Sequence, residues 1–422
     1  MRALILLLLP FLLLVTDTAA QNLDRFTFGG EIRQRSELDN RFTDQETSFF
    51  HLLRTRFNAR VEATPDIDVF VQVQDSRLLG EGDPQRGRGT LDPEAGTIGL
   101  HQAYFQINNL FDVPLRLRVG RQQLILGNER LVGAVNWSNV GRTFDAGRLT
   151  YQGDLVEIDA FAARLADTFG QSDDSENFFG LYTTWALADR HELEVFTLVE
   201  NDTEDVQMSP GTTANRLIRF TPGATLRGAE GAFSYEFEFA LQRGRAAIPL
   251  RVSREALEGN FQSARLAYRA HAESNLTIEA GFTRLSGGDS GDEFSAFNTL
   301  FATNHKFYGF MDYFPALFTG RGLQNAFVVL SQNVSERVNL RLAAHNFRTD
   351  GETLFSNDFG IDPPLETGQA LGQEIDLTVS YRAHDNATFS GGISTFFSSD
   401  LMESRIGDGT PVWGYLMTTI RF

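Results

Sequence analysis

The sequence predicts an all-β protein, an antiparallel transmembrane β-barrel with short periplasmic turns and long extracellular loops. Three observations predict it. The links between candidate strands alternate strictly between short and long, polar and apolar residues alternate along the strands, and no stretch after the N-terminal leader approaches eighteen apolar residues. Because backbone N–H and C=O groups must all be paired within lipid, a chain without a spanning helix can cross a membrane only as a closed barrel.

Eighteen segments are predicted to be strands. They begin near residues 25, 50, 66, 98, 114, 142, 154, 178, 191, 215, 231, 261, 275, 322, 336, 372, 386 and 412. The link at 64–65 is a tight turn, whereas those at 122–141 and 287–321 are long. This parity is typical of a barrel whose two rims face different compartments. The count becomes sixteen if a hairpin starting at Phe178 or Arg216 does not form.

Residues 1–20 are predicted to be a secretory signal peptide. Arg2 precedes an apolar run from Ala3 to Val15, and small residues lead up to Gln21. Residues 21–422 are then one outer-membrane barrel domain of a Gram-negative bacterium. The chain has no cysteine, which excludes disulfides and thiolate metal sites.

The charge distribution argues against a nucleic-acid partner, because the formal net charge is −18. Acidic residues are expected mainly in the long links, for example around Asp173, Glu200 and Asp289, and arginines mainly in the strands. Lys306 is the single lysine among the 37 basic residues. Two alternatives explain this bias: a preference for bidentate guanidinium contacts, or a GC-rich genome.

Strand parity keeps the arginines off the lipid face. After Phe50, Leu53 and Phe57 share one face, while Arg54 and Arg56 share the other. An arginine on the lipid face near the membrane midplane costs about 2–4 kcal/mol, so these arginines belong to the lumen, the rims or the interfaces, and several are predicted to line the pore. Parity selects Arg54, Arg56, Arg60, Arg116, Arg118, Arg265, Arg269 and Arg341. Arg121, Arg142 and Arg148 are added because they cluster with Arg54, Arg56, Arg60, Arg116 and Arg118 on neighbouring strands, with Glu129 and Asp145 interleaved. The alternative is that they only fill and solvate the interior as Arg–Glu ladders.

Two stretches resemble the bacterial alginate export family. The first runs from Leu115 through Gly127-Asn-Glu-Arg and Trp137-Ser-Asn to Leu149, and the second is the segment Phe297–Phe314 leading into Gly322-Leu-Gln-Asn. The resemblance implies an eighteen-stranded outer-membrane barrel with an electropositive constriction that passes an anionic uronate polysaccharide. It adds Arg130 to the pore-lining residues and includes Arg116, Arg118, Arg121, Glu129, Arg142, Asp145 and Arg148.

The predicted function is therefore passive, charge-guided diffusion of an alginate-like polysaccharide, with no cofactor and no metal. The predicted partners are outer-membrane lipid and lipopolysaccharide, the barrel-assembly machinery, a periplasmic export partner, and an anionic polysaccharide or small anion. A general or small-anion/sugar-selective porin is the main alternative, and a structural barrel with a plugged lumen is another. An enzyme is not expected, because the seven histidines are scattered and no Gly-x-Ser-x-Gly elbow is present.

Overall fold

The structure, a computed structural model, describes residues 23–79, 98–165, 176–207, 213–247, 255–288, 295–315, 322–351, 356–357, 360–361 and 367–422. The predicted signal peptide, residues 1–20, lies outside them, so cleavage after Ala20 stays a prediction. Within the described residues, no helix has both the length and the apolar character needed to cross a membrane.

Eighteen strands of the described chain form one antiparallel sheet. In chain order, β1–β18 are Phe26–Asn40, Ser48–Thr64, Ile67–Leu79, Gly99–Ile107, Leu115–Gln122, Phe144–Gln152, Val156–Leu165, Glu176–Ala188, His191–Gln207, Thr213–Glu230, Phe233–Ala246, Glu255–His271, Leu276–Leu285, Leu323–Asn333, Val338–Arg348, Ala370–His384, Ala387–Ser398 and Val412–Arg421. The predicted count of eighteen is confirmed, and the two hairpins whose formation was in doubt are present.

The sheet closes into a barrel because β1 pairs with both β2 and β18. In the closing pair, Glu31 lies opposite Arg421 and Asn40 lies opposite Val412. Beyond that ladder, the N–H of Gly30 donates to the carbonyl of Phe422 at 2.8 Å. A Cβ at Gly30 would lie 2.5 Å from the backbone carbonyl oxygen of Arg56, so a larger residue there would force the backbone to shift.

The two rims differ as the link lengths predict. The short turns, the start of β1 and the end of β18 lie on one rim, which we call the short-turn rim. The opposite rim is called the long-loop rim. The long-loop rim carries helix α1, Asp400–Ile406, between β17 and β18. A two-residue hairpin pairs Ser356–Asn357 with Gly360–Ile361 in the link before β16.

Two long links fold into the barrel. Loop A is residues 123–143, between β5 and β6. Loop B joins β13 to β14, and its described residues are 286–288, 295–315 and 322. The main buried apolar cluster lies where these loops pack against each other and the wall, and it includes Leu124, Val132, Phe301, Tyr308 and Phe347. The apolar core of this barrel is therefore inside it.

The strand faces separate as parity predicts. Large apolar side chains such as Phe57, Val71 and Leu342 are exposed on the outward face. The expectation that acidic residues lie mainly in the long links needs correction, because Glu200, placed in a link, lies within β9. Glu194 and Glu238 lie in β9 and β11 and are buried on the inward face, because a strand can place carboxylates in the lumen as readily as guanidiniums.

Candidate functional site

Loop A is held inside the barrel by two arginines that face each other across β1 and β2. Arg33 and Arg54 are register partners. Arg33 donates to the carbonyls of Asn136 and Ser138 at 2.6 and 2.9 Å. Arg54 donates to the same two carbonyls at 3.0 and 2.9 Å. The loop carbonyls therefore lie between two positive charges that would otherwise repel each other.

Neighbouring side chains extend this attachment. The guanidinium of Arg35 donates to the carbonyl of Trp137 at 2.7 Å and lies 4.0 Å from the centre of the indole ring. Arg56 donates to the side-chain oxygen of Asn136 at 3.0 Å. The amide of Gln74 donates to the carbonyl of Val140 at 2.8 Å.

These contacts correct part of the predicted site. Arg54 and Arg56 lie on the inward face, but they are only 3% and 7% exposed, beneath loop A. The sequence alone gives no sign that a loop covers them. They anchor loop A and are not free to meet a solute in the channel.

Loop B packs on loop A through backbone and side-chain contacts. The N–H of Gly133 donates to the carbonyl of Phe301 at 2.9 Å, and the N–H of Thr303 donates to the carbonyl of Glu129 at 3.1 Å. The Thr303 hydroxyl donates to the carboxylate of Glu129 at 2.9 Å. Lys306 donates to the carbonyl of Asn128 at 2.9 Å. The two loops thus form one inserted unit.

Loop B is also attached to the wall at β16. The N–H of Met311 donates to the carboxylate of Glu374 at 2.9 Å. Gly309 permits this close approach, since its φ is 79° and a Cβ there would lie 2.4 Å from the Glu374 carboxylate. Glu374 itself is fully buried, so the contact fixes the tip of loop B.

Two predicted residues of loop A lie deep in this interface. Arg130 is 4% exposed, pairs with Glu238 at 3.1 Å and lies 3.7 Å from the Phe307 ring centre. Burial disfavours its charge, but the neighbouring acid Glu238 outweighs that penalty and the pKa of Arg130 is raised. Arg142 donates to the carbonyl of Ala302 at 3.3 Å. Both arginines hold the loops together.

Arg121 and Asp145 are not part of the lumen wall, which corrects their predicted role. They are register partners on β5 and β6 and form a bidentate ion pair with both distances at 2.9 Å. They share the outward parity with the exposed Leu149, and Asp145 has half of its side chain exposed. Arg148, three residues after Asp145, necessarily lies on the opposite face.

Four of the predicted arginines form a strip on the inward face towards the short-turn rim, here the arginine strip: Arg60, Arg116, Arg118 and Arg148. Arg118 and Arg148 are register partners. Arg148 is bound by Asp159 at 2.7 Å, whereas Arg60 is 42% exposed and 3.9 Å from Asp68.

The wall formed by β9 to β13 is acidic, and sequence reasoning missed it. Glu194, Glu236 and Glu279 alternate with Arg227 and Arg265 in a chain of ion pairs. The signal was available, because Glu-x-Glu spacing in His191-Glu-Leu-Glu and in Tyr235-Glu-Phe-Glu places each pair of carboxylates on one strand face. The lumen therefore has a basic side and an acidic side.

The remaining predicted residues lie on either side of the loops. Arg265 and Arg341 line a cavity of about 550 Å³ together with Glu129. Arg269 is exposed near a short turn and donates to the carbonyl of Gly231 at 3.4 Å. Within the described ranges, no group of three or more histidine, aspartate and glutamate side chains could hold a metal ion.

The sequence profile of the alginate export family matches residues 24–409. The chain belongs to the alginate export family. No curated protein sequence matches it. Within this family member, the two stretches that carried the resemblance are β5–loop A–β6 and loop B. The motif residues are thus largely those that build the inserted unit.

Solved structures of outer-membrane porins share the fold. The BenF-like porin from Pseudomonas fluorescens Pf-5 has a TM-score of 0.63 at 13% identity, over 95% of this chain and 99% of that one. OccK9 (OpdG) from Pseudomonas aeruginosa has a TM-score of 0.64 at 12% identity, over 95% and 99%. OccD3 (OpdP) from the same species has a TM-score of 0.59 at 12% identity, over 94% and 91%. This alginate export family member is an outer-membrane channel protein of a Gram-negative bacterium.

Proposed function

We propose that this channel passes an anionic, uronate-type polysaccharide by passive diffusion along an arginine-lined path. The observation that carries the proposal is the arginine strip near the short-turn rim. In outer-membrane barrels that rim faces the periplasm. A polyanion that enters from there would meet these guanidiniums before it reaches loops A and B.

The chemistry of the strip suits carboxylates that arrive in series. Arginine presents a planar fork that binds a carboxylate through two hydrogen bonds. Arg116 makes no ion pair within the described part of the chain, and Arg118 donates to the neutral side chain of Gln106 at 2.7 Å. These two guanidiniums therefore keep an uncompensated positive charge, while the acidic wall opposite limits how tightly a polyanion is held.

A porin for small anions or sugars is the second candidate, and one observation favours it. Loops A and B lie inside the barrel and contact each other at Gly133 and Phe301. A lumen narrowed in this way admits small solutes more easily than a polymer. Passage of a chain then requires that it be threaded in extended form.

The test is conduction by the purified protein in a planar bilayer. We expect an anion-selective current that long polymannuronate chains occlude from the side of the short-turn rim. A current that carries anions but is untouched by long chains would establish the small-anion porin instead. A protein that conducts nothing would contradict both.

The double substitution Arg116→Glu/Arg118→Glu tests the strip itself. We expect a several-fold fall in the anion-to-cation permeability ratio, read from the reversal potential in a salt gradient. Arg243→Glu/Arg348→Glu is the matched control, because it makes the same charge change at two exposed arginines of the outward face. Equal reversal potentials for the two variants would contradict the placement of the path.

Further partners belong to the same proposal. We infer contact with membrane lipid and lipopolysaccharide through the exposed apolar face, as for any barrel of this class. We also infer recognition of the closing strand β18 by the barrel-assembly machinery. Finally, we infer that a periplasmic export partner delivers the polymer. The described part of the chain has no site that would supply energy for moving the polymer.

A further inference from the structure

A cavity of about 550 Å³ lies between loops A and B and strands β12 to β15. This volume is in the range of pockets that hold a small organic ligand. Its apolar lining includes Trp137, Phe310 and Phe327, and its charged lining includes Arg265, Lys306 and Arg341. The cavity thus combines aromatic surface with cations in one half-open space.

A stack of five planar groups runs between β1 and β15 along one side of this cavity. From β1 to β15 the order is Arg35, Trp137, His305, Phe310 and Arg341. The His305 ring lies 4.4 Å from Trp137 and 4.8 Å from Phe310, nearly parallel to both. The two guanidiniums cover the outer faces, at 4.0 and 5.6 Å.

The stack fixes the shape of the cavity before any ligand arrives. Trp137 belongs to loop A and His305 to loop B, so the rings join the two loops directly. Asp312 holds His305 from the side, 2.8 Å from its Nδ1. Trp137, Phe310 and Phe327 all line the cavity and give it apolar aromatic surface for the C–H groups of a sugar ring.

Two guanidiniums at the cavity have hydrogen-bonding capacity left over. The buried Nη1 of Arg341 has no hydrogen-bond partner, and Arg341 makes no ion pair within the described residues. The Nε of Arg265 is likewise without a hydrogen bond, and its two ion pairs, to Glu236 and Glu279, are both long at 3.6 Å. A buried guanidinium N–H without an acceptor costs free energy, and a ligand that supplies an acceptor removes this cost.

We propose that this cavity is a subsite for one carboxylated sugar residue, with Arg341 as the group that binds the carboxylate. Arg265 provides a second donor, the carboxylates of Glu129 and Glu279 accept hydrogen bonds from sugar hydroxyls, and Phe310 supplies apolar contact for the sugar ring. This inference rests on the proposed function, because it assigns a place in the lumen where the uronate chain is held.

Lys306 supplies a direct assay, because it is the single lysine in the sequence, lines the cavity and is half exposed. In the purified full-length protein, an amine-acylating reagent will modify its Nζ, and mass spectrometry of the peptide gives the rate. We expect a mannuronate trimer to slow this acylation and the neutral mannotriose to leave it unchanged. The two probes differ mainly in their carboxylates.

Variants then show which side chains bind the trimer and so protect Lys306 from acylation. Arg341→Gln should weaken protection by the mannuronate trimer about tenfold, as expected for the loss of one charge-assisted contact. Arg269→Gln is the matched control, since it removes an exposed guanidinium from the same wall outside the cavity. Phe310→Leu should also weaken protection, without any change of charge. Equal protection of wild type and Arg341→Gln, or equal protection by mannotriose, would overturn the subsite.

Parallel bilayer recordings separate this inference from the proposed function. If long polymannuronate occludes the current while the trimer gives Lys306 no protection, the channel stands and the subsite is wrong. If the trimer protects Lys306 and the Arg341→Gln variant loses that protection, the subsite stands, whether or not long chains pass through the pore.

Discussion

The double substitution Arg33→Met/Arg54→Met should release loop A from the wall. In the wild-type protein these two arginines donate four hydrogen bonds to the carbonyls of Asn136 and Ser138. Methionine keeps much of the length and apolar volume of the side chain and has no donor. After a single substitution, each carbonyl still has one guanidinium, so the loss should be modest. After both, neither carbonyl has one.

The magnitude follows from these contacts. A hydrogen bond to a charged group contributes about 1.5–3 kcal/mol, which gives an upper range of roughly 6–12 kcal/mol for four. The bonds share their acceptors, and the double variant also removes a like-charge pair that faces across β1 and β2. We therefore expect a net loss of about 4 kcal/mol, or roughly a thousandfold shift from docked towards displaced loop A.

Single-channel recording in a planar bilayer measures this shift. The double variant should show larger conductance steps and rapid fluctuations that the wild type lacks, and each single variant should lie much closer to wild type. Arg60→Met/Arg118→Met is the control, because it removes two inward guanidiniums that do not hold loop A. A double variant with wild-type conductance and noise would refute the anchoring role.

Two further predictions concern the outward face of the barrel and the attachment of loop B. Removing the outward pair with Arg121→Ala/Asp145→Ala should leave conductance and ion selectivity unchanged in the same recordings, and altered selectivity would restore these residues to the lumen. At the tip of loop B, Glu374→Ala removes the acceptor of the Met311 N–H and leaves this buried donor unpaired, which costs about 1–3 kcal/mol, whereas Glu374→Gln keeps an acceptor. Limited proteolysis should therefore cut loop B faster in the alanine variant than in the glutamine variant, and equal rates would argue against this contact.

The barrel itself could be predicted from sequence because its signals are local. Strand parity needs only alternation within one segment, and the rims need only the lengths of the links. Parity also shows that the assignment of Arg121 to the lumen was wrong, since that assignment came from its neighbours and the family motif and not from its strand face. Arg116 and Arg118 share an even-numbered face of β5, so a residue three positions after Arg118 has to point the other way.

The inserted loops could not be predicted in the same way. Where the side chain of Arg54 ends depends on loop A, which is more than eighty residues away in sequence. The stack from Arg35 to Arg341 depends on two loops and two strands that meet only in the closed barrel. The family resemblance identified the stretches that form loops A and B, but it did not say that they fold inward.

The view that the arginines merely form ladders with acids is partly right, and the structure shows where it applies. Arg35 pairs with Glu37, Arg130 with Glu238 and Arg148 with Asp159. In these pairs the acid neutralises the guanidinium, so little positive charge remains for a solute in the lumen. They do not account for Arg116 or for Arg341, which make no ion pair within the part of the chain that the structure describes.

The position of each arginine along the barrel axis separates two roles of one side chain. Midway along β1, a guanidinium can bridge two carbonyls of an inserted loop, as Arg33 does, which a lysine point charge cannot reproduce with the same geometry. Nearer the short-turn rim, no loop residue that the structure describes hydrogen-bonds the arginine strip, and we propose that the same fork there meets a carboxylate. Anchoring and the proposed anion guidance therefore use the same residue type at different positions along the barrel axis. It follows that Arg33→Met/Arg54→Met should change conductance with little effect on ion selectivity, whereas Arg116→Glu/Arg118→Glu should do the reverse.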